Sequence, residues 1–269
     1  MVEATVNYFG ELNAITAAAA HGSSADRLQI QPTLVPIRDA RAAPDPPRLE
    51  REGFTLARHR SAVGNYHDAG EVTHVYLPEA AQLLRRLTGA VRVVMMPGAV
   101  LRFGERSPQY ASATNLRPAR FVHVDYTERS ARGLLRSVLP AQEPLPQPGQ
   151  RYAGYNIWRV ISPPPQDIPL AVCDARTVAR EDLLRGDTIF RSVEAVELRF
   201  EALLLHSNPA HRWSYFSQMH PEEVIVFKAF DSDYARPVRV PHSAFDDPLC
   251  PRRAPARESI EVRGFALFD

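Results

Sequence analysis

Lysine is almost missing from this chain of 269 residues: Lys228 is the only one, and every other basic position is arginine. That bias fits the coding source better than a phosphate-binding device, so the number of arginines carries no functional weight. Charge of either sign is also not in excess, with 32 basic against 31 acidic residues and a net charge of +1. A near-neutral chain has no global field, which argues against nucleic acid and anionic membrane as partners and points to a small molecule. Cysteine is scarce: Cys173 and Cys250 have no paired spacing, which excludes a disulfide framework and a cysteine zinc site and predicts a reducing, cytoplasmic location. No stretch reaches the roughly 20 apolar residues of a membrane span. The one apolar run near the start, around Ala14 to Ala20, is short and lacks a basic flank, so secretion is not expected.

With 45% hydrophobic residues, a chain of this length can bury one large core or two small ones, and all-β barrels often reach this size as one domain. The expectation is one domain over 1–269, with residues 1–90 decorating a barrel core formed by 91–269. Ala4 to Phe9 reads as a strand, and a loop rich in Pro and Arg surrounds Ala43 to Arg51. Ala80, Leu83, Leu84 and Leu87 recur at helical spacing between Pro78 and Gly89, which predicts a helix over 78–87. Leu134, Leu135 and Val138 predict a second helix over 128–139, capped by Thr127. Val91 to Met95 reads as a strand and Leu101 to Arg120 as a polar, turn-rich connection. From Arg151 onward, β-branched and aromatic runs predict strands over 155–161, 170–173, 196–205, 223–230, 238–240 and 260–268. Short strands at even spacing give a mainly β (α+β) sandwich or jelly roll with flanking helices.

Chemistry enters at Phe121-Val122-His123-Val124-Asp125-Tyr126. In an extended segment, His123 and Asp125 project to one face while Val122 and Val124 pack on the other. An imidazole beside a carboxylate, joined by one more histidine, is the donor set of non-haem Fe(II) oxygenases, which leaves the remaining positions open for co-substrate and O₂. The alternative is a core histidine satisfied by Asp125 or by backbone. A second His-x-Glu, His220-Pro221-Glu222, holds a proline and reads as a turn into a strand.

His242 follows Val240-Pro241 at the end of the strand over 238–240 and is a candidate third ligand. His206 and His211 flank a turn at Asn208-Pro209, and His59, His67 and His74 fall in the irregular first third, so these read as solvated. Arg257 and Ser259 share a face of the last strand, where a guanidinium fork and a hydroxyl suit a carboxylate such as that of 2-oxoglutarate. A solvated charge ladder with Glu258, Glu261 and Arg263 is the competing reading, and Arg263 is either the co-substrate arginine in place of Arg257 or the internal partner of Glu261. Asn156 is an unfavourable strand residue that calls for a polar partner inside the barrel. Trp158, Trp213, Tyr215 and Tyr126 are core or the wall of a substrate pocket.

Together, His123-Val-Asp125-Tyr126, Asn156-Ile-Trp158-Arg159, Trp213 to Met219, Glu222 to Ser232, Pro241-His242-Ser-Ala-Phe245 and Arg257-Glu-Ser259-Ile-Glu261-Val-Arg263 run in one order over residues 118 to 268. In this the chain resembles the hydroxylase/desaturase family of non-haem Fe(II)/2-oxoglutarate-dependent oxygenases. The resemblance implies a cupin-like double-stranded β-helix, His123, Asp125 and His242 as iron ligands, and Arg257 with Ser259 on the distal carboxylate of 2-oxoglutarate. Asn156 and Arg263 are further co-substrate candidates. The gap from His242 to Arg257 is wider than usual in Arg-x-Ser oxygenases, which keeps Arg263 and Arg253 in contention. The implied reaction consumes 2-oxoglutarate and O₂, with ascorbate as an accessory reductant, and uses an Fe(IV)-oxo species to hydroxylate, desaturate or cyclise a small molecule of specialised metabolism. Two other readings compete: a metal-dependent cupin-like enzyme without 2-oxoglutarate, and an accessory subunit that binds ligand or a partner tailoring enzyme. No assembly signature decides whether the chain forms a homo-oligomer.

Overall fold

The computed structural model describes residues 1–10, 29–112, 117–191 and 197–269. Its strands in chain order are β1 (Val2–Gly10), β2 (Gln29–Asp39), β3 (Phe54–Arg58), β4 (Arg92–Met95), β5 (Val100–Phe103), β6 (His123–Val124), β7 (Tyr152–Val160), β8 (Leu170–Cys173), β9 (Leu183–Arg191), β10 (Glu197–Leu205), β11 (Trp213–Tyr215), β12 (Glu223–Asp231), β13 (His242–Ala244) and β14 (Glu258–Leu267). Among the described residues the two longest helices are α1 (Leu77–Thr88), entered through a π-helical turn at Val72–Tyr76, and α2 (Glu128–Val138). One sheet runs β1-β2-β11-β8-β13-β6-β10-β9; the other runs β3-β12-β7-β14-β4, with β5 paired to the first residues of β14. From β6 to β8 and again from β12 to β14 the chain alternates between the sheets, which winds a double-stranded β-helix, the jelly roll of the cupin-like folds.

Period-two alternation decides which side chains face the interior. In β14, Ile260 and Val262 pack outward with Tyr155 and Ile157 of β7 and Val224 and Val226 of β12, under Leu83 and Leu84 of α1. The residues between them, Glu261 and Arg263, line the inside. Trp158, Leu170, Val172, Ile225 and Phe227 join the two sheets in an inner cluster. Behind the large sheet, Val2, Ala4 and Val6 of β1 cover Val122, Val124, Leu203 and Leu205. Leu135 and Ala131 of α2 close one end of the barrel over Tyr126, Phe230 and Phe265. Each large apolar side chain so buried contributes roughly 1.5–3 kcal/mol.

Both helices begin and end where their caps dictate. Pro78 sits in the first turn of α1, and Gly89 ends it at φ 69°, its N–H donating to the Arg85 carbonyl at 3.0 Å. Thr127 caps α2 through a capping box with Ser130.

Several boundaries differ from the sequence reading. β6 holds only His123 and Val124, because Asp125 leaves the ladder on the way to the Thr127 cap. Residues 238–240, bracketed by Pro237 and Pro241, form no strand, so His242 opens β13 instead of ending a strand. The stretch from Leu101 to Arg120 contains most of β5. β10 covers 197–205 of the strand expected over 196–205, while Val196 and the Ala14 to Ala20 run lie outside the described residues.

Candidate metal centre

β6 and β13 are neighbours in the large sheet, and His123 is the cross-strand partner of His242. Their ring centroids are 4.2 Å apart. Asp125, just beyond β6, turns its carboxylate toward the same point, with Oδ2 3.8 Å from His242 Nε2. One ligand atom from each of His123, Asp125 and His242 lies within 4.8 Å of the other two.

Each ligand is oriented from behind. His123 Nδ1–H donates to the Phe121 carbonyl at 2.9 Å and His242 Nδ1–H to the Val240 carbonyl at 3.2 Å. A carbonyl only accepts, so the proton sits on Nδ1 and Nε2 keeps its lone pair. Burial, reinforced by His242, pushes His123 down to about 4, and burial lowers His242 as well. Both rings are therefore neutral at neutral pH, the form that ligates. Burial alone would raise the Asp125 carboxyl, but Arg263, then the two imidazoles and the Asn156 amide, hold it well below the usual carboxylate range. Asn156 Nδ2 donates to its Oδ2 at 2.5 Å and Arg263 Nη2 to its Oδ1 at 2.9 Å. Arg263 is braced in turn by Glu261 at 2.8 Å.

His123 and His242 border a cavity of about 30 Å³ that also touches Arg102, Trp158, Leu170, Arg257 and Glu261. Arg257 is 2% exposed. Its Nε and Nη2, and the Oγ of Ser259, are buried without a hydrogen-bond partner among the described residues. Burial, then neighbouring Arg102, pushes the Arg257 guanidinium down to about 9, and the Trp158 ring lies 5.6 Å from it. Unpaired buried polar groups cost on the order of 1–3 kcal/mol each, and an anion in the cavity would remove that cost. Two neutral imidazoles and one carboxylate with open positions suit Fe(II), and the unpartnered fork and hydroxyl suit a carboxylate. The chemistry of the donors present thus fits iron together with a carboxylate co-substrate.

The remaining candidates divide. Trp158 lines the cavity. Asn156 and Arg263 hold the Asp125 carboxylate, Arg263 from the wall of the cavity. Tyr126 stacks on Phe265 with its hydroxyl 3.3 Å from Met96 Sδ. Trp213 and Tyr215 lie behind the large sheet: Trp213 is paired with outward-facing Cys173, and its indole N–H donates to the Tyr8 hydroxyl at 2.9 Å. Arg253 is exposed. His59 and His211, which read as solvated, are buried. His59 accepts from Arg159, and His211 bridges the Tyr8 hydroxyl at 2.8 Å and Asp182 at 3.1 Å. Arg102 was not foreseen. Its strand is only four residues long, though Gly98 and Gly104 punctuate it in the sequence. A larger cavity, about 900 Å³, lies elsewhere, between Thr127–Glu128, residues 175–185 and the 234–239 loop, and none of the three ligand residues lines it.

The family model described as an oxidoreductase/YMDC permease-like domain matches residues 6–267. The Fe(II)/2-oxoglutarate-dependent dioxygenase nvfI of Aspergillus novofumigatus is 30% identical over 237 residues, covering 86% of this chain and 82% of the relative. The hydroxylase/desaturase efuI of Hormonema carpetanum is 30% identical over 287 residues, covering 100% of this chain and 95% of the relative. Among solved structures, the iron and alpha-ketoglutarate-dependent endoperoxidase NvfI superposes with a TM-score of 0.80 at 27% identity, over 100% of this chain and 97% of the other. No helix among the described residues is long and apolar enough to cross a membrane.

Proposed function

We infer, from the premise that this chain belongs to the hydroxylase/desaturase family of Fe(II)/2-oxoglutarate-dependent dioxygenases, that its iron sits between His123, Asp125 and His242 and its 2-oxoglutarate against Arg257 and Ser259. The observation that carries the assignment is the pairing of a three-ligand cluster with a buried, unpartnered guanidinium on one cavity. Arg263 is the weaker co-substrate candidate because Asp125 and Glu261 already occupy it. The substrate is a small molecule of specialised metabolism, which the enzyme hydroxylates, desaturates or oxidatively cyclises. The complete donor set disfavours an accessory subunit, and Arg257 with Ser259 disfavours a cupin-like reaction without 2-oxoglutarate. We read residues 1–269 as one domain, since β1, β2 and β3 of the first third extend both sheets. Two free cysteines fit a cytoplasmic setting.

Bound together, the iron and 2-oxoglutarate supply the O₂-derived oxidant. The protein supplies position. Nε2 of each neutral imidazole and the Asp125 carboxylate would hold the metal. Arg263 and Asn156 fix the angle of that carboxylate, and the Phe121 and Val240 carbonyls fix the rings. Arg257 and Ser259 present a fork and a hydroxyl to the distal carboxylate. Trp158 on the cavity wall, and Phe227 at 4.7 Å from the His242 ring, keep water from that side.

The test is succinate formation by the isolated protein supplied with Fe(II), 2-oxoglutarate and O₂. Wild type should form succinate slowly even without substrate, His123→Ala and Asp125→Ala should form none, and Arg257→Ala should need far more 2-oxoglutarate. Undiminished succinate from folded His123→Ala would remove the ligand assignment. No succinate from wild type would return the jelly roll to a co-substrate-free reading.

A further inference from the structure

The cavity of about 900 Å³ between residues 175–185 and the 234–239 loop shares no lining residue with the one that the metal ligands border. Its volume is that of a site for a small organic molecule. The floor is apolar: Leu203 stands opposite Arg185 in the β9–β10 ladder, and Val178 and Leu183 pack beside Leu203 on the core behind the large sheet. Arginines ring that floor, and Glu50 and Glu128 are the carboxylates on its wall. Acids already match Arg51 (Asp45 and Glu52), Arg176 (Asp174 and Glu52) and Arg236 (Asp233 and Glu50). The side chains of Arg180 and Arg185 make no ion pair or hydrogen bond among the described residues. Arg239 bonds to Tyr234, whose hydroxyl donates to Glu128 Oε2 at 2.9 Å, yet its Nε is buried with no acceptor among the described residues. A buried N–H without an acceptor is costly, and three guanidiniums above an apolar floor make a place that an anion fills best. The cavity also touches both segments that carry metal ligands: Thr127 lies two residues beyond Asp125, and Arg239 precedes Val240, whose carbonyl orients His242.

We propose that this cavity is a second small-molecule site and that it takes an amphipathic anion, with an apolar body on Val178, Leu183 and Leu203 and a carboxylate or similarly charged head among Arg180, Arg185 and Arg239. The inference stands apart from the iron and 2-oxoglutarate assignment, since no residue lines both cavities and the second site needs no metal. 2-Oxoglutarate, charged at both ends and without an apolar body, does not suit the floor. An anion on Arg239 would complete the chain from Glu128 through Tyr234 and so fix the 234–239 loop, which leads directly into Val240 and His242.

The test is fluorescence titration of the full chain with two dyes that brighten in apolar sites, the anionic anilinonaphthalene sulfonate and the uncharged phenylnaphthylamine. Wild type should bind the sulfonate more tightly than the amine, and excess 2-oxoglutarate with Mn(II) should not displace it. Arg239→Gln and Arg185→Gln should each bind the sulfonate roughly ten-fold more weakly, the factor expected for a lost charge-assisted hydrogen bond, with affinity for the amine unchanged. Arg185 is exposed, so its variant keeps the test open even if Arg239→Gln fails to fold, which Tm reports. Arg58→Gln, at an exposed arginine away from the cavity, should change neither affinity. Equal weakening of both dyes would mean a damaged cavity in place of a lost anion contact and would overturn the proposal. So would unchanged sulfonate affinity in the folded arginine variants, displacement by 2-oxoglutarate, or no sulfonate binding by wild type.

Discussion

A carboxylate makes a dependable ligand only when it is anionic and aimed, and Asp125 owes both properties to two neighbours far away in sequence. Arg263 holds Oδ1 and Asn156 holds Oδ2. Removing either leaves a ligand of the right type with a softer orientation. Asn156→Ala and Arg263→Gln should therefore weaken Fe(II) or Mn(II) binding by roughly 10- to 100-fold while the fold persists, the range seen when outer-shell partners are lost. Metal titration followed by EPR of the unbound Mn(II) checks this, and unchanged affinity in both variants would mean that the backbone alone aims Asp125. These contacts were only partly legible in the sequence. The His-x-Asp spacing brings the first two ligands together, and Asn156 stands out in the sequence as a strand residue in need of a partner. Which partner it finds depends on the register of β7 across the barrel interior, and no local pattern encodes that.

Among the elements, the turn into β3 and the helix α1 carry the next two predictions. Gly53 takes φ 90°, and a Cβ there would lie 2.6 Å from Val240 Cγ2. Val240 is the residue whose carbonyl orients His242. Gly53→Ala should cost at least about 1 kcal/mol from the positive φ alone, and it should also weaken metal binding. Thermal unfolding with and without Mn(II) would show both, and a variant that lost stability yet kept full metal affinity would break the link to His242.

His59, just after β3, accepts a hydrogen bond from Arg159, whose Nε also donates to Tyr76 at 3.0 Å in the turn that enters α1. Burial, then Arg159, lowers His59 from its ordinary 6.5 to about 4. The unfolded chain therefore binds more protons in that window, so the contribution is complete above about pH 6.5 and is lost as pH falls toward 4. His211, lowered by burial, acts in the same sense. Tm should fall between pH 7 and pH 4, and His59→Gln, which cannot ionise, should flatten part of that slope; an identical slope in the variant would remove His59 from the cause. Strong periodicity and caps make α1 and α2 readable from the sequence, and apolar runs rich in β-branched and aromatic residues between turn signals make β7 and β8 so. β5 and β11, of four and three residues, are held by their neighbours in the sheet and leave too little pattern to read.

At the scale of the whole molecule, alternation between sheets brings β6, near the middle of the chain, beside β13 near its end, and sets β14 across the interior from both. A jelly roll therefore gathers metal ligands from two strands of one sheet and a carboxylate site from the other. It buries them where an unpaired guanidinium is costly without a ligand. The order of motifs in the sequence carried that topology, and the position of Arg257 relative to Arg263 emerged only once Asp125 and Glu261 were seen to occupy the latter.

The most direct measurement is an anaerobic titration of the purified protein with Fe(II) and then 2-oxoglutarate, following the visible charge-transfer band of the chelate in wild type, His242→Ala and Arg257→Ala. A band in wild type that disappears in His242→Ala, and in Arg257→Ala forms only at much higher 2-oxoglutarate, is the predicted result. A band of undiminished strength in folded His242→Ala, or none in folded wild type, would contradict the site described here.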